Sequence, residues 1–113
     1  MIEPKLIDKC QKIATNKEKV QPIPREFDIY DFLINNRFTG DKFLSPEAKK
    51  VVNFDKTIGY IYYNKNLNTE VTLFFNKKKK TINASISFKD YGVKFERLPL
   101  KRLVAIIKII NSQ

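Results

Sequence analysis

TIGYIYYNKNLNTEVTLFFNKKKKTINASISF, residues 57–88, contains three runs rich in β-branched and aromatic residues, separated by two polar breaks. Such runs are typical of strands, and the breaks NKNLN and NKKKK have the lengths of hairpin loops. After KDYG the chain continues into VKFER, which has the same character. Because strands that follow one another in sequence usually pair, the pattern predicts a four-stranded antiparallel meander over about residues 57–97.

Helical periodicity replaces the strand pattern towards both ends of the chain. Residues 3–19 carry apolar side chains in one helical stripe, and Pro4 suits the first turn of such a helix. The segment LPLKRLVAIIKIINSQ, residues 98–113, has a broader apolar face, so its helix should be heavily buried. Two prolines in QPIPRE, residues 21–26, favour an extended connector. The N-terminal stripe consists of Leu6, Ile7, Cys10, Ile13 and Ala14.

Two further segments of the first half have helical signals. FDIYDFLINN, residues 27–36, alternates like a strand, but Asp28 as N-cap with Asp31 in the first turn favours a short helix. LSPEAKKVV, residues 44–52, begins with a capping serine followed by proline, which predicts another short helix. The predicted fold is therefore α+β, with N-terminal helices, the meander, and a C-terminal helix packed on one face of the sheet.

Length and composition limit both domain number and chemistry. A chain of 113 residues suits one domain, spanning residues 1–113. It has one cysteine and no histidine, so an internal disulfide, a histidine-containing zinc site and a Ser-His or Cys-His pair are excluded. No phosphate-binding glycine motif occurs. We therefore expect no enzyme, no catalytic or metal-binding residue, no cofactor and no small-molecule substrate, and we expect Cys10 to be a buried hydrophobic residue.

The sequence also indicates where the protein resides. No apolar run approaches the roughly 18 residues needed to cross a bilayer. The first residues, MIEPKLIDKC, lack the basic segment and apolar stretch of a signal peptide. These features predict a soluble protein in a reducing, cytoplasmic setting that makes no contact with a membrane.

Positive charge is concentrated in the second half of the chain. Residues 1–55 contain 10 Lys and Arg against 9 Asp and Glu, whereas residues 56–113 contain 12 against 3. Such an excess attracts polyanions, and nucleic acid is the commonest polyanion in a cell. Solubility alone, or a base-composition bias that favours lysine, is the alternative explanation.

Alternation along the strands assigns residues to two faces of the sheet. In TINASISF, residues 81–88, the apolar set faces the core, and Asn83, Ser85 and Ser87 face outward. The first strand is ambiguous, because both of its faces are apolar. If Ile61 and Tyr63 pack inward, Tyr60 and Tyr62 stand on the outer face beside Phe74. The expected core residues are Ile82, Ala84, Ile86 and Phe88, with Val71, Leu73 and Phe75 before them and Val93 and Phe95 after them.

An outer face of this composition would suit single-stranded nucleic acid. Aromatic rings stack on bases irrespective of sequence, at about 1–3 kcal/mol per base, and lysines neutralise phosphates. Alternatively, the rings belong to the core or form an interface with a protein. We expect the lysine run Lys77–Lys80 to form a solvated hairpin tip that serves as a movable rim of this face. The candidate nucleic-acid-binding residues are Tyr60, Tyr62, Phe74, Lys77, Lys78, Lys79, Lys80, Lys89, Lys94, Arg97, Lys101 and Arg102.

Two functions remain open from the sequence. The leading hypothesis is a non-catalytic protein that binds single-stranded nucleic acid, DNA in preference to RNA, through the sheet face and its basic rim, with little sequence specificity. The alternative is a small interaction module, an accessory or inhibitory factor, that binds an acidic protein partner. A homodimer formed through a sheet edge or face is compatible with either function.

Overall fold

A computed structural model describes residues 2–40, 53–54, 57–75 and 81–112, with the backbone alone for 53–54, 57–59 and 81–82. The predicted helix at LSPEAKKVV and the run Lys77–Lys80 lie outside this described part. The helices are α1 (Pro4–Ala14), α2 (Ile29–Asn35) and α3 (Leu100–Asn111). The strands are β1 (Asn53–Phe54), β2 (Thr57–Asn64), β3 (Thr69–Phe75), β4 (Thr81–Phe88) and β5 (Val93–Leu98).

The sheet is an antiparallel meander in the order β1-β2-β3-β4-β5. The α+β prediction is confirmed, since β2 to β5 are the four predicted strands and α3 contacts the sheet at β4. Strand β1 was not predicted, and it adds two residues at the β2 edge. The segment that could have been strand or helix forms α2, where Asp28 Oδ1 accepts hydrogen bonds from the backbone N–H groups of Tyr30 (2.9 Å) and Asp31 (3.3 Å).

All three helices cover one face of the sheet. Helix α1 packs against α3 and contacts β5. The Tyr91 hydroxyl, in the β4–β5 turn, donates a hydrogen bond to the Ile2 carbonyl oxygen just before α1. On α2, the Tyr30 ring stacks on that of Phe75 on β3, with ring centroids 6.0 Å apart. The hydrophobic core therefore lies between the helical layer and one face of β2–β5.

The core confirms most of the predicted alternation. Val71, Leu73, Ala84 and Ile86 have no exposed surface, and Phe75 and Phe88 are also buried, while Val93 and Phe95 are half-buried. Cys10 is fully buried on α1, as expected from the apolar stripe. Burial raises the pKa of its thiol to about 12, so the reactive thiolate is scarcely populated near neutral pH.

The expected placement of Tyr60 and Tyr62 on the outer face is wrong. Tyr60 pairs with Leu73 and Tyr62 with Val71, so both rings enter the core, where they are 8% and 1% exposed. The Tyr60 ring centroid lies 4.4 Å from that of Phe75. The Tyr62 ring packs against the backbone of Gly40, where a Cβ atom would lie 2.0 Å from Tyr62 Cδ1.

The aromatic residues and a glycine explain why β2 takes this register. The ring of Tyr30 lies 6.4 Å from that of Tyr62, centroid to centroid, and Gly40 leaves room for Tyr62. Ile61 and Tyr63 then face away from the helices, and both are half-buried. Aromatic contacts from α2, which is remote in sequence, therefore favour the inward position of the tyrosines.

Candidate nucleic-acid interface

The face of the sheet that points away from the helices, here called the outer sheet face, combines small polar and half-buried apolar side chains. The register places Ile61, Thr72 and Ser85 in one row across β2, β3 and β4. Tyr63, Glu70, Ser87 and Lys94 form the next row, which extends onto β5. The outer sheet face consists of Ile61, Tyr63, Glu70, Thr72, Phe74, Asn83, Ser85, Ser87, Lys89, Lys94 and Glu96.

The charges of the outer sheet face are paired within it. Lys89 Nζ lies 3.7 Å from Glu70 Oε2, and Lys94 Nζ lies 3.3 Å from Glu96 Oε1. Two of the lysines predicted to bind phosphate are therefore matched by two carboxylates, and the charges of these four residues cancel. Glu70 lies on the central strand β3, where a carboxylate would repel a phosphate backbone.

The aromatic side chains of this face are fewer than predicted. Phe74 lies there as expected and is half-buried. Tyr63 is the other ring, and its hydroxyl donates a 2.6 Å hydrogen bond to Asn68 Oδ1. The Asn68 amide in turn donates to Asp90 Oδ1 at 2.9 Å, which connects the β2–β3 and β4–β5 turns. With Tyr60 and Tyr62 in the core, the predicted three-ring stacking platform is not assembled.

The predicted role of Arg102 also needs correction, because the side chain is buried at 8% exposure. Arg102 Nη1 donates hydrogen bonds to the carbonyl oxygens of Ile13 (2.6 Å) and Glu18 (3.1 Å). Ile13 lies in the last turn of α1, where free carbonyl groups and the helix dipole favour a cation. Arg102 thus caps α1 and fixes the segment that follows it.

Arg97 and Lys101, the other members of that predicted cluster, are exposed. Arg97 lies in a β-bulge of β5. Ala84 pairs with Leu98 and Ile86 with Phe95, so the single residue Ser85 is opposed by both Glu96 and Arg97. Arg97 has a φ of 55° there, a left-handed conformation that non-glycine residues adopt at a cost. Arg97 and Lys101 are therefore accessible to a ligand, whereas Arg102 is not.

The unpaired positive charge of the described residues lies mainly on the helical side. Residues 2–21 and α3 contain 8 Lys and Arg against 3 Asp and Glu, a net charge of +5, whereas residues 57–75 and 81–98 together contain 4 against 3. None of the ion pairs found in the described part of the chain involves these helical lysines. The exposed set, here called the helical surface, consists of Lys5, Lys9, Lys12, Lys17, Lys19, Lys101 and Lys108.

Helical spacing aligns these lysines. On α1, Lys5, Lys9 and Lys12 recur at i, i+4 and i+7, opposite the buried stripe. On α3, Lys101 and Lys108 are two turns apart on the exposed side. The capping of α1 by Arg102 brings the first turn of α3, which contains Lys101, to the last turn of α1, which contains Lys12.

Sequence reasoning missed the lysines of α1, because the count over residues 1–55 came out near zero. The compensating carboxylates of that half include Glu26, Asp28 and Asp31, which follow α1 by more than ten residues. A count over each predicted helix would have found the stripe on α1.

A groove lies within the helical surface, between residues 18–21 and the exposed side of α3. Its volume is about 270 Å³, just under the range of typical ligand pockets. Its floor is aliphatic and three lysines stand at its rim, with Glu18 as the one acid among the lining residues. It is lined by Ile13, Glu18, Lys19, Val20, Gln21, Lys101, Val104, Ala105, Lys108 and Ile109.

Comparisons with known proteins add no relative: no family model matches the chain, and neither does a curated protein nor a solved structure. Within residues 2–40, 53–54, 57–75 and 81–112, no three His, Cys, Asp or Glu side chains form a group that could hold a metal ion. The helices of these ranges are too short or too polar to span a bilayer. The geometry of the surfaces is therefore the basis for a functional proposal.

Proposed function

We propose that the protein binds nucleic acid without catalysis, and that the lysines of the helical surface hold the phosphate backbone. One observation carries the proposal: the exposed lysines of α1 and α3 lie on two helices that pack together, and no carboxylate of the described residues forms an ion pair with them. Phosphate groups are the commonest intracellular partners for such rows. The predicted contribution of the sheet is reduced to Phe74 and to cations near its edge.

The spacing of the lysines suits a charged backbone better than a base-specific site. Lys5 and Lys12 are seven residues apart, which is about 10 Å along a helix axis. Duplex DNA carries one charge per about 1.7 Å of its axis, so phosphates are available wherever the two rows point. Lysine is a flexible point charge without the planar fork that reads guanine, which implies little sequence specificity.

The position of the aromatic rings affects the expected preference for single strands. Phe74 and Tyr63 lie on the outer sheet face, on the opposite side of the sheet from the helical surface. A strand held by the helical lysines cannot stack its bases on these rings at the same time. We therefore propose binding of single-stranded and duplex nucleic acid with similar affinity, driven by counterion release.

Fluorescence anisotropy with labelled 20-nucleotide single strands and duplexes tests this proposal. If about four phosphates are contacted, affinity should fall roughly 100-fold between about 50 and 200 mM salt. A triple variant, Lys9→Glu with Lys12→Glu and Lys108→Glu, should weaken binding at least tenfold and flatten the salt dependence.

The matched control changes the net charge equally at residues outside the helical surface. It combines Lys65→Glu, Lys94→Glu and Arg97→Glu, of which Lys94 and Arg97 were predicted from the sequence. Binding by the control should exceed that of the helical triple variant. Equal losses in both variants would mean that net charge alone attracts the oligonucleotide, and absence of binding at 50 mM salt would refute the function.

The floor of the groove supports a second candidate, an acidic protein partner. A phosphate backbone does not use the aliphatic surface of Ile13, Val104 and Ile109, whereas an acidic segment with an aliphatic residue would bury it. Ala105→Phe fills the groove without changing the charge. This variant should leave oligonucleotide affinity within about twofold but reduce binding of a labelled peptide of alternating Glu and Leu, if the groove docks such a segment.

A further inference from the structure

The outer sheet face differs from the rest of the molecule in its charge. The chain carries a formal net charge of +10, yet this face has two lysines and two glutamates, each pair in contact. Two copies of so basic a chain repel one another, and the repulsion is weakest when they meet on a surface without excess charge. The outer sheet face is such a surface among the described residues, and the helical surface is not.

The side chains of this face are also suited to packing against a second sheet. Ile61, Tyr63 and Phe74 are half-buried apolar groups, and Thr72 and Ser85 between them are small and already buried at 8% and 4% exposure. Small residues between taller apolar ones allow two sheets to approach to about 10 Å, the usual spacing of packed sheets.

The edges of the sheet are less suitable for pairing with another copy. The bulge at Arg97 interrupts β5, and Pro99 follows that strand, both of which discourage edge-to-edge pairing. At the other edge β1 has two residues, and the Thr39–Tyr63 bridge occupies part of β2. Of the two routes to a homodimer predicted from the sequence, the face is therefore favoured.

We propose that the outer sheet face packs on the same face of a second copy of this chain about a two-fold axis. A two-fold axis places the same surface of both copies in contact. The Glu70–Lys89 and Lys94–Glu96 pairs of one copy can then lie beside those of the other, with glutamates next to lysines. The helical surfaces then point outward from a four-layer dimer. The proposal does not depend on what the helical surface binds.

The area of the outer sheet face bears on how strongly two copies of the chain bind. Four strands spaced about 4.8 Å apart, with about eight residues rising 3.3 Å each, give a face of roughly 20 by 25 Å. An interface of this size is at the small end for specific complexes, so a weak dimer that depends on protein concentration is expected. Salt screens the repulsion between the two copies, so dimerisation should increase with salt, opposite to nucleic-acid binding.

Sedimentation equilibrium of the full chain from about 5 to 500 µM, at about 50 and 500 mM salt, tests the proposal. Wild-type protein should dimerise, and more tightly at the higher salt. Ser87→Lys and Phe74→Lys, each of which places an unpaired charge in the face, should weaken dimerisation at least tenfold. Ile34→Lys is the control, because Ile34 is 51% exposed on α2, away from this face, and should not change it.

Circular dichroism melting tests whether each variant is folded. If Phe74→Lys does not fold, Ser87→Lys alone tests the interface. A wild-type chain that stays monomeric at 500 µM and 500 mM salt would overturn the proposal. So would a dimer that neither folded variant weakens, since the contact would then lie elsewhere. Oligonucleotide binding by a folded monomeric variant should persist, so failure of the dimer and failure of the proposed function give different results.

Discussion

Replacement of Arg102 by methionine should destabilise the fold by about 3 kcal/mol. Arg102 Nη1 is hydrogen-bonded to the carbonyl oxygens of Ile13 and Glu18, at 2.6 and 3.1 Å, and the side chain is 8% exposed. Hydrogen bonds to a charged group contribute about 1.5–3 kcal/mol each. Methionine retains the aliphatic packing but leaves both oxygens without the cation.

We expect a loss near the lower end of what two such hydrogen bonds contribute, because one of the two carbonyl oxygens keeps another hydrogen-bond donor. The backbone N–H of Asn16 also donates to the Ile13 carbonyl oxygen, at 3.3 Å, so that oxygen is not left unpaired. Most of the lost free energy comes from the hydrogen bond to the Glu18 carbonyl oxygen and from removal of the positive charge at the end of α1. The interaction of such a charge with the helix dipole is worth up to about 2 kcal/mol in partly buried sites. Arg102→Lys keeps the charge but not the forked geometry, and should lose less than methionine.

Thermal and urea unfolding followed by circular dichroism measure this effect. For a chain of this length, 1 kcal/mol corresponds to about 4 °C in Tm, so Arg102→Met should melt about 12 °C lower. The control is Lys101→Met, which removes an exposed charge next in sequence and should change stability by less than about 0.5 kcal/mol. Equal stability of the two variants would refute a capping role for Arg102.

Two further predictions concern the core. Gly40→Ala should destabilise the fold by about 1–3 kcal/mol in urea unfolding, because the new Cβ atom would overlap the buried Tyr62 ring. Adding Tyr62→Leu should recover part of that loss, whereas additive losses in the double variant would contradict the clash. Cys10 should resist iodoacetamide at pH 8 in the folded protein and react once urea unfolds it. Burial raises the pKa of its thiol to about 12, so the reactive thiolate forms only as the pH approaches that value. Alkylation is followed by mass spectrometry, and rapid alkylation of the folded chain would contradict this prediction.

How far the sequence predicts the structure depends on how clearly one face of each element differs from the other. In β4, apolar Ala84 and Ile86 alternate with serines, and their burial was predicted correctly. In β2 both alternating sets are apolar, so local pattern could not choose, and contacts from Tyr30 and Gly40 determine the register. These contacts come from more than 20 residues away.

The candidate site was harder to predict, because charge counts ignore which partners the fold supplies. Arg102 meets the end of α1, 89 residues earlier in the chain, and no local signal distinguishes it from an exposed arginine. Lys89 and Lys94 meet glutamates through the sheet register. The lysines of α1, by contrast, could have been found, because their i, i+4, i+7 spacing is visible in the sequence.

The two proposed surfaces impose a geometric condition on each other. In a dimer formed through the outer sheet faces, two sheets and two helical layers separate the helical surfaces, and packed layers are each about 10 Å thick. A short oligonucleotide therefore cannot contact both surfaces, so dimerisation should not raise the affinity for short oligonucleotides through avidity. A dimer would instead bridge two separate nucleic-acid molecules, so any gain from dimerisation requires long or concentrated nucleic acid. Under the two proposals the outer sheet face and the helical surface would bind different partners, and opposite responses to salt would distinguish the two kinds of binding.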